Sequence, residues 1–266
     1  MRDLDLVEKV QSQGIADKHN WLSPKEADKV KNLIKKLKPA KGDENSICAI
    51  NIKLLIRKVL KFHFSDIFRS IYFVKLSKKL NLKEIAEEIL KSKAKLIRID
   101  HFYSPKSEDP VIQWHVDNAY SGRKNVKVFN QPDKQAIKFF FYLTDVSSDN
   151  GCLSYIPQSH KIAYALKEGI YQGDIEYQTY WTLSNFRKIV LKEKNYKYIK
   201  QRVDEKILKE FLEVSKNILD GKIDERLFDH KIKEGGAVVF DEAGVHRGSK
   251  TSLNDRMVLR FFYQRM

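Results

Sequence analysis

His115 and Asp117, in the run Gln113-Trp114-His115-Val116-Asp117-Asn118, stand two positions apart and carry side chains suited to a metal. On a β-strand, residues i and i+2 project from one face, so an imidazole and a carboxylate aim at a single point. A second histidine arriving from elsewhere completes a facial set of two histidines and one carboxylate. Such a set leaves coordination positions open and suits non-heme Fe(II). His246 is the candidate for that third donor. Arg256, ten positions further on, offers a planar, permanently charged fork that grips a carboxylate in bidentate fashion. A His-x-Asp by itself is a weak signal, and its flanking segments decide its weight.

Those segments follow in order. Asp149-Asn150-Gly151-Cys152-Leu153-Ser154-Tyr155-Ile156-Pro157-Gln158-Ser159-His160-Lys161 comes first. Gly235-Gly236-Ala237-Val238-Val239-Phe240-Asp241 then runs toward Val245-His246-Arg247-Gly248-Ser249, and Asn254-Asp255-Arg256 leads into the last apolar stretch. Together they resemble the phytanoyl-CoA dioxygenase family of Fe(II)/2-oxoglutarate oxygenases. Members of that family carry His-x-Asp, an Asn-Gly-x-Leu…Pro-Gly-Ser-His-Lys segment, Gly-Asp…Phe…His-Arg-Ser, and an arginine some ten residues later. The resemblance covers roughly residue 95 to the C-terminus, with a weaker echo in the N-terminal helix. Two positions depart from it: Gln158 stands where the family has Gly, and Gly236 where it has Asp. Neither is a candidate ligand, so they bear on turn geometry and not on the chemistry.

The resemblance implies that His115, Asp117 and His246 bind Fe(II) and that Arg256 holds the C5 carboxylate of 2-oxoglutarate. Arg260, on the same face of the same strand, is the alternative clamp. It also implies that Phe140 flanks the co-substrate; Ser249 is placed to donate a hydrogen bond to it or to serve the turn. Dioxygen is the remaining co-substrate; 2-oxoglutarate is decarboxylated to succinate while a C–H bond of a small molecule is hydroxylated. The carboxylate at Asp117 argues against halogenation, which needs that coordination position for halide. The rival readings are a non-catalytic ligand-binding jelly roll and a nucleic-acid-directed oxygenase.

The elements that must position these residues fall into two blocks. Ser23, Pro24 and Glu26 start a helix over 23–38, with a capping box, and Pro39 stops it. Residues 47–62, 66–78 and 82–92 read as further helices, so 1–93 form a helical layer. From residue 94 the period becomes two: 96–103, 111–117, 136–144, 152–156, 236–241 and 256–264 read as strands. Within 136–144, either Lys138, Phe140 and Tyr142 or Phe139 and Phe141 face the interior. This pattern predicts an α+β fold with a mainly β core, a double-stranded β-helix of the jelly-roll, cupin-like kind. The strands at 94–162 and 233–266 and a helical insertion at 163–232 make one domain spanning 1–266. The insertion carries Tyr171, Tyr177, Tyr180 and Trp181 before an amphipathic helix at 207–219, and reads as a lid over the barrel mouth or as a prop outside it.

A chain of 266 residues buries one large core. No apolar run reaches membrane-span length, no leader segment is evident, and two cysteines suit a reducing compartment, so a cytoplasmic enzyme is expected. The net charge of +15 comes mostly from lysine scattered over helices, whereas nucleic-acid sites favour clustered arginine and aromatics. That scatter argues for solvated helix faces, and secondarily for an anionic small-molecule substrate. His160 reads as a structural residue of its segment. Asn118 and Tyr120 are candidate substrate contacts, and His19, His63, His101 and His230 lack partners at ligand spacing.

Overall fold

Residues 3–35, 45–48, 64–117 and 134–266 are described by a computed structural model, with backbone alone at 35, 45–48 and 64–69. The candidates Asn118, Tyr120 and His63, and most of the helix expected at 47–62, lie outside the described residues.

Helix α1 (Leu4–Gln13) turns directly into strand β1 (Ile15–Lys18), and α2 (Pro24–Lys35) follows. The capping box forms as the sequence predicts: Ser23 N–H donates to Glu26 Oε2 at 3.1 Å and Glu26 N–H donates to Ser23 Oγ at 3.4 Å. Strand β2 (Asn45–Cys48) stands where the sequence predicts the start of a helix. Its backbone groups pair with a neighbouring strand, and that tertiary pairing overrides the local apolar pattern. Helices α3 (Phe64–Lys79) and α4 (Leu82–Leu90) then complete the first block as expected.

The strands are β3 (Ala94–Ser104), β4 (Ser107–His115), β5 (Ala136–Tyr142), β6 (Leu153–Tyr155), β7 (Asp229–His230), β8 (Ala237–Asp241), β9 (His246–Thr251) and β10 (Arg256–Arg265). They form a six-stranded antiparallel sheet in the order β1-β8-β5-β10-β3-β2 and a four-stranded sheet in the order β4-β9-β6-β7. Two facing antiparallel sheets with helices outside are the predicted jelly roll. The strand ranges read from the sequence lack β1 and β2, which lengthen the large sheet from within the helical block, the two-residue β7, and β9, which begins at His246.

Strand alternation sorts side chains to two cores. Phe139 and Phe141 face outward from β5 and pack with Leu259, Phe261 and the helices α1, α2 and α4. Phe140 and Tyr142 face inward, with Tyr155, Phe240 and Val258. A third apolar cluster belongs to α5 (Ser159–Gln172), α6 (Leu183–Val190), α7 (Glu193–Lys200) and α8 (Glu205–Leu219), which pack together and against Trp114, Val116 and Val245. The sequence predicted one of these four helices. No helix among the described residues is long and apolar enough to cross a membrane.

Both departures from the family pattern have a local explanation. Gln158 has φ 62°, the left-handed conformation that glycine adopts without steric cost. Gly236 is packed so closely that a Cβ would lie 2.7 Å from Ile232 Cγ2 and 3.1 Å from the Lys18 carbonyl oxygen, so a side chain there requires its neighbours to shift.

Candidate metal and co-substrate site

Strand β4 ends at His115, and Asp117 sits in the turn beyond it. Val116 N–H donates to the carbonyl oxygen of Trp181 at 2.8 Å, and His115 bridges to Thr182, so the segment before α6 braces this end of β4. On the other side His246 opens β9 and stands opposite His115 in the strand register. The two imidazoles lie 4.3 Å apart. Asp117 Oδ1 is 3.6 Å from His115 Nε2, and Oδ2 is 3.2 Å from His246 Nε2. Donor atoms from all three residues fall within 4.8 Å of one another.

The hydrogen bonds behind the rings fix what the rings present. His115 Nδ1 lies 2.7 Å from the Gln113 carbonyl oxygen, and His246 Nδ1 lies 2.9 Å from that of Gly244. A carbonyl oxygen only accepts, so each Nδ1 carries a proton, and Nε2 is the ring atom left to offer a lone pair to a metal. Burial, reinforced by the neighbouring His115, holds the pKa of His246 down and keeps it neutral. The Nε2 atoms of both imidazoles and the Asp117 carboxylate therefore face one another. A cation satisfies that arrangement, and neutral imidazoles with one carboxylate are a fitting donor set for Fe(II).

Lys138 and Glu242 complete this end of the site. Lys138 Nζ hydrogen-bonds Asp117 Oδ2 and lies 3.5 Å from Glu242 Oε2. Burial pushes the Asp117 carboxyl up, but Lys138, then His246 and His115, override it and hold it well below the usual carboxylate range. Burial likewise works against the Lys138 ammonium, and Asp117 and Glu242 outweigh it, so the lysine stays charged. Glu242 itself is raised by burial. The sequence offered one signal for this pair: a lysine inside the apolar run Ala136–Tyr142, resolved now as inward-facing. Glu242 gave none, because an acid just beyond a strand end looks like any solvated turn residue.

A pocket of about 460 Å³ opens beside the triad. Arg98, Phe102, Lys138, Phe140, Arg256, Arg260 and Phe262 line it, and they belong to successive cross-strand layers of β5, β10 and β3. Lys138, Phe262 and Arg98 form one layer; Phe140, Arg260 and Asp100 the next; Tyr142, Val258 and Phe102 the third. Arg256 lies beyond that, only 3% exposed, its guanidinium 5.7 Å from the Tyr142 ring and 5.9 Å from that of Phe102. Among the described residues no acid pairs with it, and its Nε is buried without a hydrogen-bond partner. Burial lowers its pKa. Arg260 differs sharply: its Nε donates to the buried Asp100 Oδ1 at 2.6 Å, and Asp100 also pairs with Arg98. Gly151 (φ +71°) supports Arg256 from below, since a Cβ there would lie 2.4 Å from Arg256 Cδ.

The remaining candidates separate. Phe140 lines the pocket, with the Arg260 guanidinium 5.4 Å from its ring. Ser249 lies apart from the triad: its Oγ donates to the Ser147 carbonyl oxygen at 3.3 Å, sits 3.4 Å from Cys152 Sγ, and borders a separate surface groove with Arg226 and Lys250. Cys152 is buried, its thiol pushed up to about 12 by burial. Of the four insertion aromatics, Trp181 reaches the site, its ring 5.8 Å from that of His115. Tyr180 is fully buried against Phe186, Tyr177 is packed on the same helical cluster, and Tyr171 is exposed. His160 is buried at the start of α5, and His230 Nδ1 is 2.7 Å from Asp17.

Comparison with known proteins adds independent findings. The family model described as phytanoyl-CoA dioxygenase matches residues 10–258. No curated protein sequence matches the chain. Among solved structures, HygX from Streptomyces hygroscopicus with nickel and 2-oxoglutarate bound is similar at 13% identity, over 100% of this chain and 88% of that one, with a TM-score of 0.56. EvdO2 from Micromonospora carbonacea var. aurantiaca complexed with 2-oxoglutarate shares 14% identity over 100% and 92%, with a TM-score of 0.52. The non-heme carbocyclase SnoK from nogalamycin biosynthesis shares 15% over 100% and 84%, with a TM-score of 0.57.

Proposed function

The chain belongs to the phytanoyl-CoA dioxygenase family of Fe(II)- and 2-oxoglutarate-dependent oxygenases, and from that premise we propose that His115, Asp117 and His246 hold the iron and Arg256 the distal carboxylate of 2-oxoglutarate. The observation that carries the assignment is the facing of two Nε2 atoms and a carboxylate, backed by Nδ1 bonds to main-chain carbonyls. With iron, 2-oxoglutarate and dioxygen bound, the site supplies oxidative decarboxylation to succinate coupled to hydroxylation of a substrate C–H bond.

The chain's own residues have distinct tasks. Gln113 and Gly244 fix the ring tautomers through their carbonyls. Lys138, held by Glu242, orients Asp117. Arg256 supplies a charge-assisted fork at the far end of the pocket, where Tyr142 and Phe102 exclude water from it. Phe140 forms the side wall between the two ends. The substrate is a small molecule, and the cations Arg98, Lys138 and Arg260 along the pocket support one bearing a negative charge. Surface lysines pair along helices, as Lys197–Glu193 and Lys209–Glu205 do, which supports solvated faces over a nucleic-acid surface.

Metal analysis and calorimetry test the ligand set. The wild-type chain should bind one Fe(II), and His246→Ala should weaken binding by more than about a hundredfold, the upper end of what loss of a merely supporting residue costs. Its unfolding transition should stay cooperative. Normal iron content in folded His246→Ala protein would overturn the assignment.

A further inference from the structure

We propose that the substrate is a molecule with an apolar body and a hydroxyl, the body lying against Ile97 and the Phe262 ring and the hydroxyl donating to the side-chain amide of Gln264. The inference rests on the reading of the site given above and names what its open end selects. The inner face of β10 is buried from Arg256 to Phe262 and half-buried at Gln264, the last of its residues to line the pocket. Ile97 of β3, 44% exposed, lines the same end. The pocket therefore opens at Gln264 and Ile97 and is closed at Arg256. Lys138, which holds Asp117, pairs across the strands with Phe262, and Gln264 stands one layer further out, opposite Ala136. With the co-substrate at the closed end, this outer layer is left for the substrate.

Ile97 reaches the opening through a β-bulge. Strands β3 and β10 pair Arg98 with Phe262 and then Leu96 with Tyr263, which leaves Ile97 without a cross-strand partner. Strict alternation would turn Ile97 away from the face that carries Arg98, yet both line the pocket, because a bulge re-aims a side chain. The result is exposed apolar surface beside an aromatic ring. Gln264 differs from the other polar residues of the pocket wall. Lys138 is engaged by Asp117 and Glu242, and Arg98 and Arg260 are engaged by Asp100. Whatever charge a substrate brings to those groups, the contact left for its uncharged part is the Gln264 amide, which no group hydrogen-bonds among the described residues. Lysine and arginine only donate, so the amide oxygen supplies the acceptor that this end of the pocket otherwise lacks. A hydroxyl has the proton to give it. A protonated amine has one too, but the cations alongside repel it.

The test uses the Fe(II)·2-oxoglutarate complex formed without oxygen, followed by its visible charge-transfer band. Benzyl alcohol and benzyl methyl ether are titrated in turn; they share an apolar body, and the ether cannot donate. The alcohol should bind more tightly by about threefold or more, within the range of one hydrogen bond, with the band retained. Gln264→Leu should weaken the alcohol to the level of the ether and leave the ether within about twofold. Ile97→Ser should weaken both probes by about threefold or more and keep their ratio, because it removes apolar surface alone. Affinity for 2-oxoglutarate should stay the same in both variants. Equal binding of alcohol and ether, binding of neither, displacement of 2-oxoglutarate by the alcohol, or an intact preference in Gln264→Leu would each overturn the inference. Unchanged affinities in Ile97→Ser would do so as well. A wild-type protein that forms no band with 2-oxoglutarate would instead sink the underlying site reading, and this inference with it.

Discussion

The two ends of the pocket are opposite in kind. Around Asp117 the charged groups are paired with one another: Lys138 lies between Asp117 and Glu242, and the imidazoles are braced from behind by main-chain carbonyls. Around Arg256 there is packing but no acid among the described residues. Burying a charge without a partner costs several kcal/mol, by order of magnitude. A guanidinium held among aromatic rings, with no acid beside it among the described residues, is a candidate site for an anion. One end is thus built to receive a cation and the other an anion, and a ligand that chelates metal while ending in a carboxylate satisfies both at once.

The comparison breaks most directly at the arginines. Arg256→Met should lower 2-oxoglutarate affinity by about one to two orders of magnitude, because a charge-assisted pair contributes roughly 1.5–3 kcal/mol. Iron affinity should be unchanged. Arg260→Met should act on stability, at the lower end of the about 3–5 kcal/mol for a broken buried pair, since Arg98 stays on Asp100. Its 2-oxoglutarate affinity should shift by less than about threefold. Calorimetric titration of both variants decides it: loss of co-substrate binding in Arg260→Met alone would move the clamp to the middle layer of the pocket.

That contrast also marks what the sequence could reveal. Strand spacing and segment order singled out His115, Asp117, His246, Arg256 and Arg260, since these side chains belong to short, regular runs. The difference between the two arginines was not legible, because it depends on Asp100, the partner of Arg260, 160 residues away in the chain and brought near by β3–β10 pairing. The same holds for β1 and β2: each is four residues long and takes its conformation from a neighbouring strand. Four helices between β6 and β7 were read as one, because α6 and α7 are eight residues each and show few turns of periodicity. For Ser249 the sequence left two roles open, a bond to the co-substrate or a place in the turn, and its hydroxyl bonds to the Ser147 carbonyl oxygen.

A third contrast lies within the helical block itself. Trp181 touches the His115 ring, whereas Tyr180 beside it is buried on Phe186. Trp181→Ala should leave 2-oxoglutarate affinity within about twofold and raise several-fold, by order of magnitude, the share of turnovers that consume 2-oxoglutarate without oxidising substrate. Succinate formed per oxidised product is the measurement. An unchanged ratio would make the block an outer support, with water excluded by other residues. Tyr180→Ala is expected to register as a loss of stability instead.

The smallest effect concerns the brace behind the metal end. Gln158 holds a left-handed backbone conformation just before α5, and its N–H donates to the Gln13 carbonyl oxygen at 2.8 Å. The turn places Ser159, whose Oγ accepts from Val245 N–H at 2.8 Å, one residue before His246. A non-glycine residue in this conformation costs about 1 kcal/mol or more, and glycine returns part of that gain through the greater freedom of the unfolded chain. Gln158→Gly should therefore stabilise the protein by up to about 1 kcal/mol, or roughly 2–4 °C in melting temperature. Iron affinity should not change, because the Ser159–Val245 bond is retained. The substitution removes the Lys161–Gln158 side-chain bond of 2.9 Å, a half-exposed contact of small value. A lower melting temperature in Gln158→Gly would show that this side-chain contact outweighs the backbone strain, and that the glutamine is the better residue at this turn.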